Sequence, residues 1–292
     1  MMFKPMTSRL HAIRKLSILT MISLFGLFLW SSEGKTQPML KWADFYTMIN
    51  QVLINQTEAT NEDELVPGDL LQTGSDSRAD LIFNEGTVVR ATAQTQFQFE
   101  HGMRRFHIAE GTALFILRPG GGEVTVATPT ARVRATEATI WTTYDAEEKL
   151  TKVGVFGSEK AVVRVSNAQG ENTVELKPGQ KVNLRGNQVG EVNTFSLQTF
   201  YETSGIADGL ETGDNLERYP SQVIETLETA QENTSEALEQ QQEQLKQGSN
   251  TVDQNLDANN QPDLLGTELG TIQVIDITPS RASKSMRKLN EF

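Results

Sequence analysis

Apolar and polar residues alternate with period two along most of the middle of the chain. Ala79, Leu81 and Phe83 are interleaved with Asp80, Ile82 and Asn84, and Phe97 and Phe99 with Gln96, Gln98 and Glu100. The rhythm returns at Phe106 and Ile108, at Val124 and Val126, and at Val163 and Val165. Successive side chains of a strand point to opposite faces, so the pattern predicts strands with one buried and one wetted face from about Val52 to Val192. Turn signals separate the runs: Pro67-Gly68-Asp69, Asn84-Glu85-Gly86, Glu110-Gly111, Pro119 to Gly122, Ala168-Gln169-Gly170, Pro178-Gly179 and Arg185-Gly186-Asn187. Pro followed by Gly suits the centre of a type II turn, where the second residue needs a positive φ. Many short strands cut this regularly predict an all-β domain, either an antiparallel sandwich or a short β-solenoid.

The pattern changes at both ends. A short amphipathic lead-in, Leu40 to Tyr46, precedes the strands. From about Tyr201 the chain turns rich in Glu, Gln, Asn and Thr, and acidic residues outnumber basic ones. Residues 201–292 are therefore expected to be an acidic tail, mostly disordered, with a helix near 221–247 between Pro220 and Gly248. The apolar stripe of that helix (Val223, Leu227, Ala230, Ala237, Leu238 and Leu245) is thin, which predicts a solvated helix rather than a strong coiled coil or a docking element. Further on, Ile272 to Ile277 is a lone β-prone hexamer able to add an edge strand to some sheet, followed by Arg281, Lys284, Arg287 and Lys288.

At the amino end, Lys4, Arg9, Arg14 and Lys15 precede an apolar run from Leu16 to Trp30, with no acidic residue before Glu33. A run of roughly 15 residues makes about 22 Å of helix, short of a hydrocarbon core of about 30 Å. Residues 1–34 thus read as a signal peptide, cleaved near Ser32-Glu33-Gly34, or as an uncleaved signal anchor that tethers the chain to a membrane. Either reading places the β domain, residues 40–200, in the periplasm or elsewhere in the cell envelope.

Composition narrows the function classes. The chain has 292 residues, 37% hydrophobic, and a formal net charge of -12. That balance argues against a nucleic-acid partner, which needs clustered Lys and Arg, and against adhesion to anionic headgroups. No cysteine is present, so disulfides, thiolate metal sites and thiol nucleophiles are excluded.

A search for catalytic or cofactor-binding residues assigns none. Of the three histidines, His11 lies in the export segment, and His101 and His107 are six apart, not at metal-ligand spacing. Gly120-Gly121-Gly122 lacks the Lys-Ser/Thr of a phosphate loop and reads as a hairpin. Glu147-Glu148 reads as a solvated turn. No catalytic, cofactor-binding or metal residues follow, no cofactor is implied, and the chain reads as a non-enzyme. Pro67, Gly68, Gly86, Gly111 and Gly179 stand out for turn geometry.

The central segment resembles the FecR family of extracytoplasmic domains. The resemblance is carried by Leu65 to Gly74, Ser77 to Leu81, Asn84 to Arg90, Glu110 to Ala113, Val124 to Ala131, Val153 to Gly157 and Leu176 to Gln180. One departure is Ala135-Thr136, where the family has Gly-Thr. The resemblance implies a periplasmic β domain. In the best-known members that domain is the outer part of a transmembrane sigma-factor regulator listening to an iron-siderophore receptor. Only about 15 residues precede the apolar run here, too few to fold as a cytoplasmic regulatory domain. The expectation is therefore an exported module for protein interaction, signalling or scaffolding, with an envelope protein as partner. A glycan-binding or cell-wall-associated module is the alternative, resting on Trp141, Tyr144, Phe106 and Phe115 near a Thr/Asn/Gln-rich face, because sugars stack on exposed rings.

Overall fold

A computed structural model describes residues 39–158, 162–207, 216 and 219–246. Residues 1–34, expected to be an export signal or anchor, the hexamer 272–277 and the basic residues after it lie outside the described residues.

Seventeen strands form one continuous hydrogen-bonded network, and their pairing sorts them into two sheets. The first sheet runs, in spatial order, β4 (Glu64–Leu65), β1 (Ala43–Ile49), β6 (Arg78–Phe83), β7 (Val88–Ala91), the second half of β9 (Arg105–Ile116), β12 (Thr139–Asp145), β13 (Leu150–Gly157), β16 (Gln180–Arg185) and β17 (Gln188–Thr194). The second runs β3 (Thr57–Glu58), β2 (Val52–Ile54), β5 (Leu71–Thr73), β8 (Gln96–Phe99), the first half of β9, β10 (Val124–Ala127), β11 (Ala131–Ala135), β14 (Val163–Asn167) and β15 (Val174–Leu176). All pairings are antiparallel except β9 with β10. The all-β expectation holds, as a sandwich whose two sheets share a strand.

That shared strand changes sheets at Gly111. Up to Glu110, β9 pairs with β8 and β10; from Gly111 on it pairs with β7 and β12. Gly111 has φ +83, and a β-carbon there would lie 2.5 Å from the Gln94 carbonyl oxygen and 2.6 Å from Thr95 Cα. Only glycine fits so close a backbone crossing. Glu110-Gly111 is therefore a corner inside a strand and not a turn between strands. The connection from Leu117 to Glu123 is likewise no hairpin: it carries the chain from the first sheet back to the second, where β10 runs parallel to β9.

Backbone groups that leave a regular ladder at such a corner still need partners, and buried threonines supply them. Thr112 N–H donates to Thr95 Oγ1 at 3.0 Å, and the Thr112 carbonyl accepts from Thr92 N–H at 3.0 Å and Thr92 Oγ1 at 3.1 Å. Thr95 N–H donates to Thr73 Oγ1 at 2.8 Å, and Thr112 and Thr143 share a hydroxyl bond of 2.8 Å.

Between the sheets lies the main core. Phe83 meets Phe99 and Phe106 edge-on, each with centroids 5.0 Å apart, and Phe106 continues to Phe115 at 5.3 Å. Such edge-to-face pairs suit the ring quadrupole and fix the sheet spacing.

The first sheet is also apolar on its outer face. Ile82, Val88, Leu114, Ile116, Trp141 and Phe156 point outward there and are all buried, forming a second core with Phe195, Phe200, Val223 and Leu227. The wetted face expected of β6 is therefore absent. Two helices cover it: α1 (Leu197–Thr203), whose Ser196 cap accepts from Thr199 N–H at 3.1 Å, and α2 (Ser221–Lys246). Helix α2 is not a solvated element. Val223, Thr226, Leu227, Asn233, Thr234 and Ala237 are buried under it. It presses onto glycines of the sheet: a β-carbon on Gly86 would lie 2.9 Å from the Gln222 carbonyl oxygen, and one on Gly157 2.9 Å from Thr234 N. At the far end Gln241 donates to the Phe195 carbonyl at 2.9 Å and accepts from Leu197 N–H at 3.0 Å. Buried Arg90 holds Asp80 through two bonds of 2.7 and 2.9 Å and donates to the Ile206 carbonyl at 2.9 Å, fastening the segment after α1.

The corner makes a testable demand. Gly111→Ala is expected to cost about 3 kcal/mol or more, from the left-handed φ and the backbone clash together. Gly68→Ala, at φ +93 but with nothing within 4 Å of the added carbon, is expected to cost only about 1–2 kcal/mol. Chemical denaturation of both variants checks the difference.

Candidate functional site

With one outer face covered by helices, the outer face of the second sheet is the broad face left open. Its inward positions are core: Phe106, Val126, Val133 and Val165 are each 0% exposed. Their sequence neighbours therefore point to solvent, and register lines them up. Arg105 of β9 pairs with Thr125 of β10, Thr125 with Arg134 of β11, Arg134 with Arg164 of β14, and Arg164 with Glu175 of β15. At about 4.8 Å per strand, three arginines occupy a row about 14 Å long. A parallel row holds Gln98, His107, Ala127 and Arg132 and ends at Ser166, which is buried.

Carboxylates close the arginine row at both ends. Glu100 takes Arg105 Nη1 at 3.3 Å and His107 Nε2 at 2.5 Å. Glu175 takes Arg164 Nε at 3.4 Å. Arg134, exposed in the middle, makes no ion pair among the described residues. Partial burial raises the Glu100 pKa, but the His107 bond and the Arg105 charge outweigh it, so the carboxyl lies below its ordinary value. Arg134 and Arg164 stand directly opposite each other, an arrangement that opposes folding. A chain with 38 acidic and 26 basic residues here gathers positive charge against its overall balance.

His107 thus has a carboxylate beside it, though on an open sheet surface and not in a cleft. His101 lies in the turn between β8 and β9, and His11 lies outside the described residues. Among the described residues no group of three or more His, Asp or Glu side chains is placed to hold a metal ion. Two cavities, under α2 and beside Tyr46, have volumes of about 10 Å³ each, room for a water at most. The rings considered for sugar stacking are buried: Trp141, Phe106 and Phe115 at 0% exposure and Tyr144 at 6%. Trp141 stacks instead on Phe200, centroids 5.5 Å apart, so the observation behind the glycan alternative is gone. Gly68, Gly86, Gly111 and Gly179 all have positive φ. Gly86 and Gly179 also make room for α2, since a β-carbon on Gly179 would lie 2.9 Å from Gln241 Nε2. Among the described residues no helix is long and apolar enough to cross a membrane.

Comparison with known proteins gives one family. Residues 69–159 match the FecR protein family, from just before β5 to just after β13, so the chain carries a FecR domain. Arg105, Arg134 and the Gly111 corner fall inside the match, while Arg164 and α2 fall outside it. Two crystal structures of a protein from Parabacteroides distasonis, provisionally assigned as an anti-sigma factor, are similar in part. One is 24% identical with a TM-score of 0.36, covering 42% of this chain and 57% of that one. The other is 21% identical with a TM-score of 0.37, covering 46% and 64%. The chain spans less than two thirds of each. No curated protein matches it.

Two outcomes follow from the row. Arg134→Thr removes a like-charge pair and is expected to raise stability by up to about 1 kcal/mol, read from the denaturation midpoint. The Glu100 carboxyl, followed by NMR, is expected to titrate below an ordinary glutamate, and His107→Ala to move it upward. Because its folded pKa is depressed, its contribution to stability is present above the ordinary carboxylate range and lost as pH falls through the depressed value.

Proposed function

We propose that the chain is an exported, non-enzymatic signalling module of a bacterial cell envelope, which engages a protein partner through the open face of the second sheet. The FecR domain supports the signalling class. The basic and apolar amino-terminal segment supports export, either with removal of that segment or with its retention as a membrane tether.

The observation that carries the reading is the row Arg105, Arg134 and Arg164, in register on an acidic chain, with Arg134 and Arg164 exposed and Arg105 half-buried. Guanidinium groups with fixed spacing recognise carboxylates bidentately, and their local field steers an acidic surface without attracting polyanions to the whole molecule. Nothing else in the row requires arginine for folding, since the inward valines and phenylalanine hold the strands.

The experiment is in-envelope crosslinking of the full chain against a variant carrying Arg105→Glu, Arg134→Glu and Arg164→Glu, with fractionation alongside. The wild type is expected in the envelope fraction with a defined protein crosslinked, and the variant, still natively folded by circular dichroism, to lose that product at least about tenfold. Equal crosslinking by both, or recovery of the chain in the cytoplasmic fraction, overturns the reading. Truncation after Phe200 is a poor test, because it would strip α2 from Trp141 and Phe156 and create an unrelated apolar surface.

A further inference from the structure

The partner of the arginine row can be narrowed by looking at the opposite side of the molecule. Helix α2 turns its apolar underside to the first sheet and leaves Glu225, Glu228, Glu232, Glu236, Glu239 and Glu243 exposed. Their spacing of three and four positions keeps them on one ridge. At 1.5 Å per residue that ridge is about 27 Å long, and Lys246 is the one basic residue of the helix.

The two charge patterns share a register. From Arg105 to Arg134 is two strand spacings, about 9.6 Å, and from Arg134 to Arg164 one, about 4.8 Å. Along the helix, Glu225 to Glu232 is about 10.5 Å and Glu232 to Glu236 about 6 Å. A helix laid across the strands of the second sheet would therefore bring one carboxylate to each guanidinium. The helix cannot do so within its own molecule while it covers the first sheet.

We propose that the arginine row seats a second copy of the chain, which lays the carboxylate ridge of its α2 across it. The inference rests on reading the row as a recognition surface and names its occupant. Ridge and row lie on opposite outer faces, so the contact is heterologous, of the kind that propagates head to tail unless a rotation closes it. Net charge of one sign on every copy opposes approach at long range and holds the association weak. The attraction is local to the paired side chains.

The test is sedimentation velocity of the full chain over a concentration series at about 0.15 M salt, where charges beyond about 8 Å are screened. Two variants are compared, Arg134→Glu with Arg164→Glu, and Glu232→Lys with Glu236→Lys, each checked by circular dichroism for native folding. The wild type is expected to sediment faster as concentration rises. Each variant alone is expected to stay monomeric, because its ridge and row then carry the same sign. Mixed one to one, they are expected to associate again. A monomeric wild type, or variants that associate as the wild type does, overturns the inference. If the wild type is monomeric while arginine reversal still abolishes the envelope crosslink, the row remains a recognition surface and the second copy is excluded as its occupant.

Discussion

The structure depends on a backbone crossing at Gly111. A single twelve-residue strand supplies ladder partners to four others, two in each sheet, so the sheets are held by continuous hydrogen bonding as well as by packed side chains. This works only if β9 bends sharply enough at Gly111 to leave the second sheet and enter the first. The bend presses Gly111 against Gln94 and Thr95 and pulls peptide groups out of register. Threonine hydroxyls then serve as substitute peptide groups. Valine has the same shape there, but would leave the Thr112 and Thr95 amides without acceptors in a buried site, at a cost of about 1–3 kcal/mol each.

Sharing one strand leaves two outer faces, and the sequence treats them oppositely. The first sheet's outer face is apolar and is closed by α2 at close range, because Gly86, Gly157 and Gly179 leave no side chain under the helix. Close approach in turn requires small or polar side chains beneath the helix. Thr226, Asn233 and Thr234 take core-side positions that a conventional amphipathic helix would give to leucine. The second sheet's outer face stays wet, keeps its alternation, and collects arginine.

These choices explain what the sequence let one read. Turns built on Pro-Gly and Asn-x-Gly were legible because their chemistry is local. The sandwich class was legible because period-two alternation is a direct print of one-sided burial. Double-sided burial was written in the consecutive apolar residues Leu81-Ile82-Phe83 and Leu114-Phe115-Ile116, which a reading for alternation passes over. The helix stripe looked thin for the reason just given: its seat is made of glycine, and the matching helix positions are Thr and Asn. Gly111 resembled every other turn glycine, since nothing local distinguishes a corner within a strand from a loop between two. The arginine row was invisible for a different reason. Arg105, Arg134 and Arg164 stand about thirty positions apart in the chain, and only strand register brings them together.

A sheet edge is the other natural place for a partner protein to add. The longest free edge is β17, seven residues paired with β16 alone among the described strands. Its geometry argues against strand addition. The register of its pairing shifts between Val182 and Leu184, Gly190 crowds the Asn183 carbonyl so that a β-carbon would lie 2.8 Å from it, and exposed Glu191 follows. Irregular pairing, glycine and charge are the devices by which sheets prevent edge-to-edge growth. The edge strands β3, β4 and β15 are two or three residues long, too short to template a strand, and β1 beyond its pairing with β4 is bulged, its register with β6 shifting between Phe45 and Thr47. With the edges blunted and one face closed by its own helix, the proposed recognition is left to the face where the fold tolerates a like-charged arginine pair that its stability would be better without.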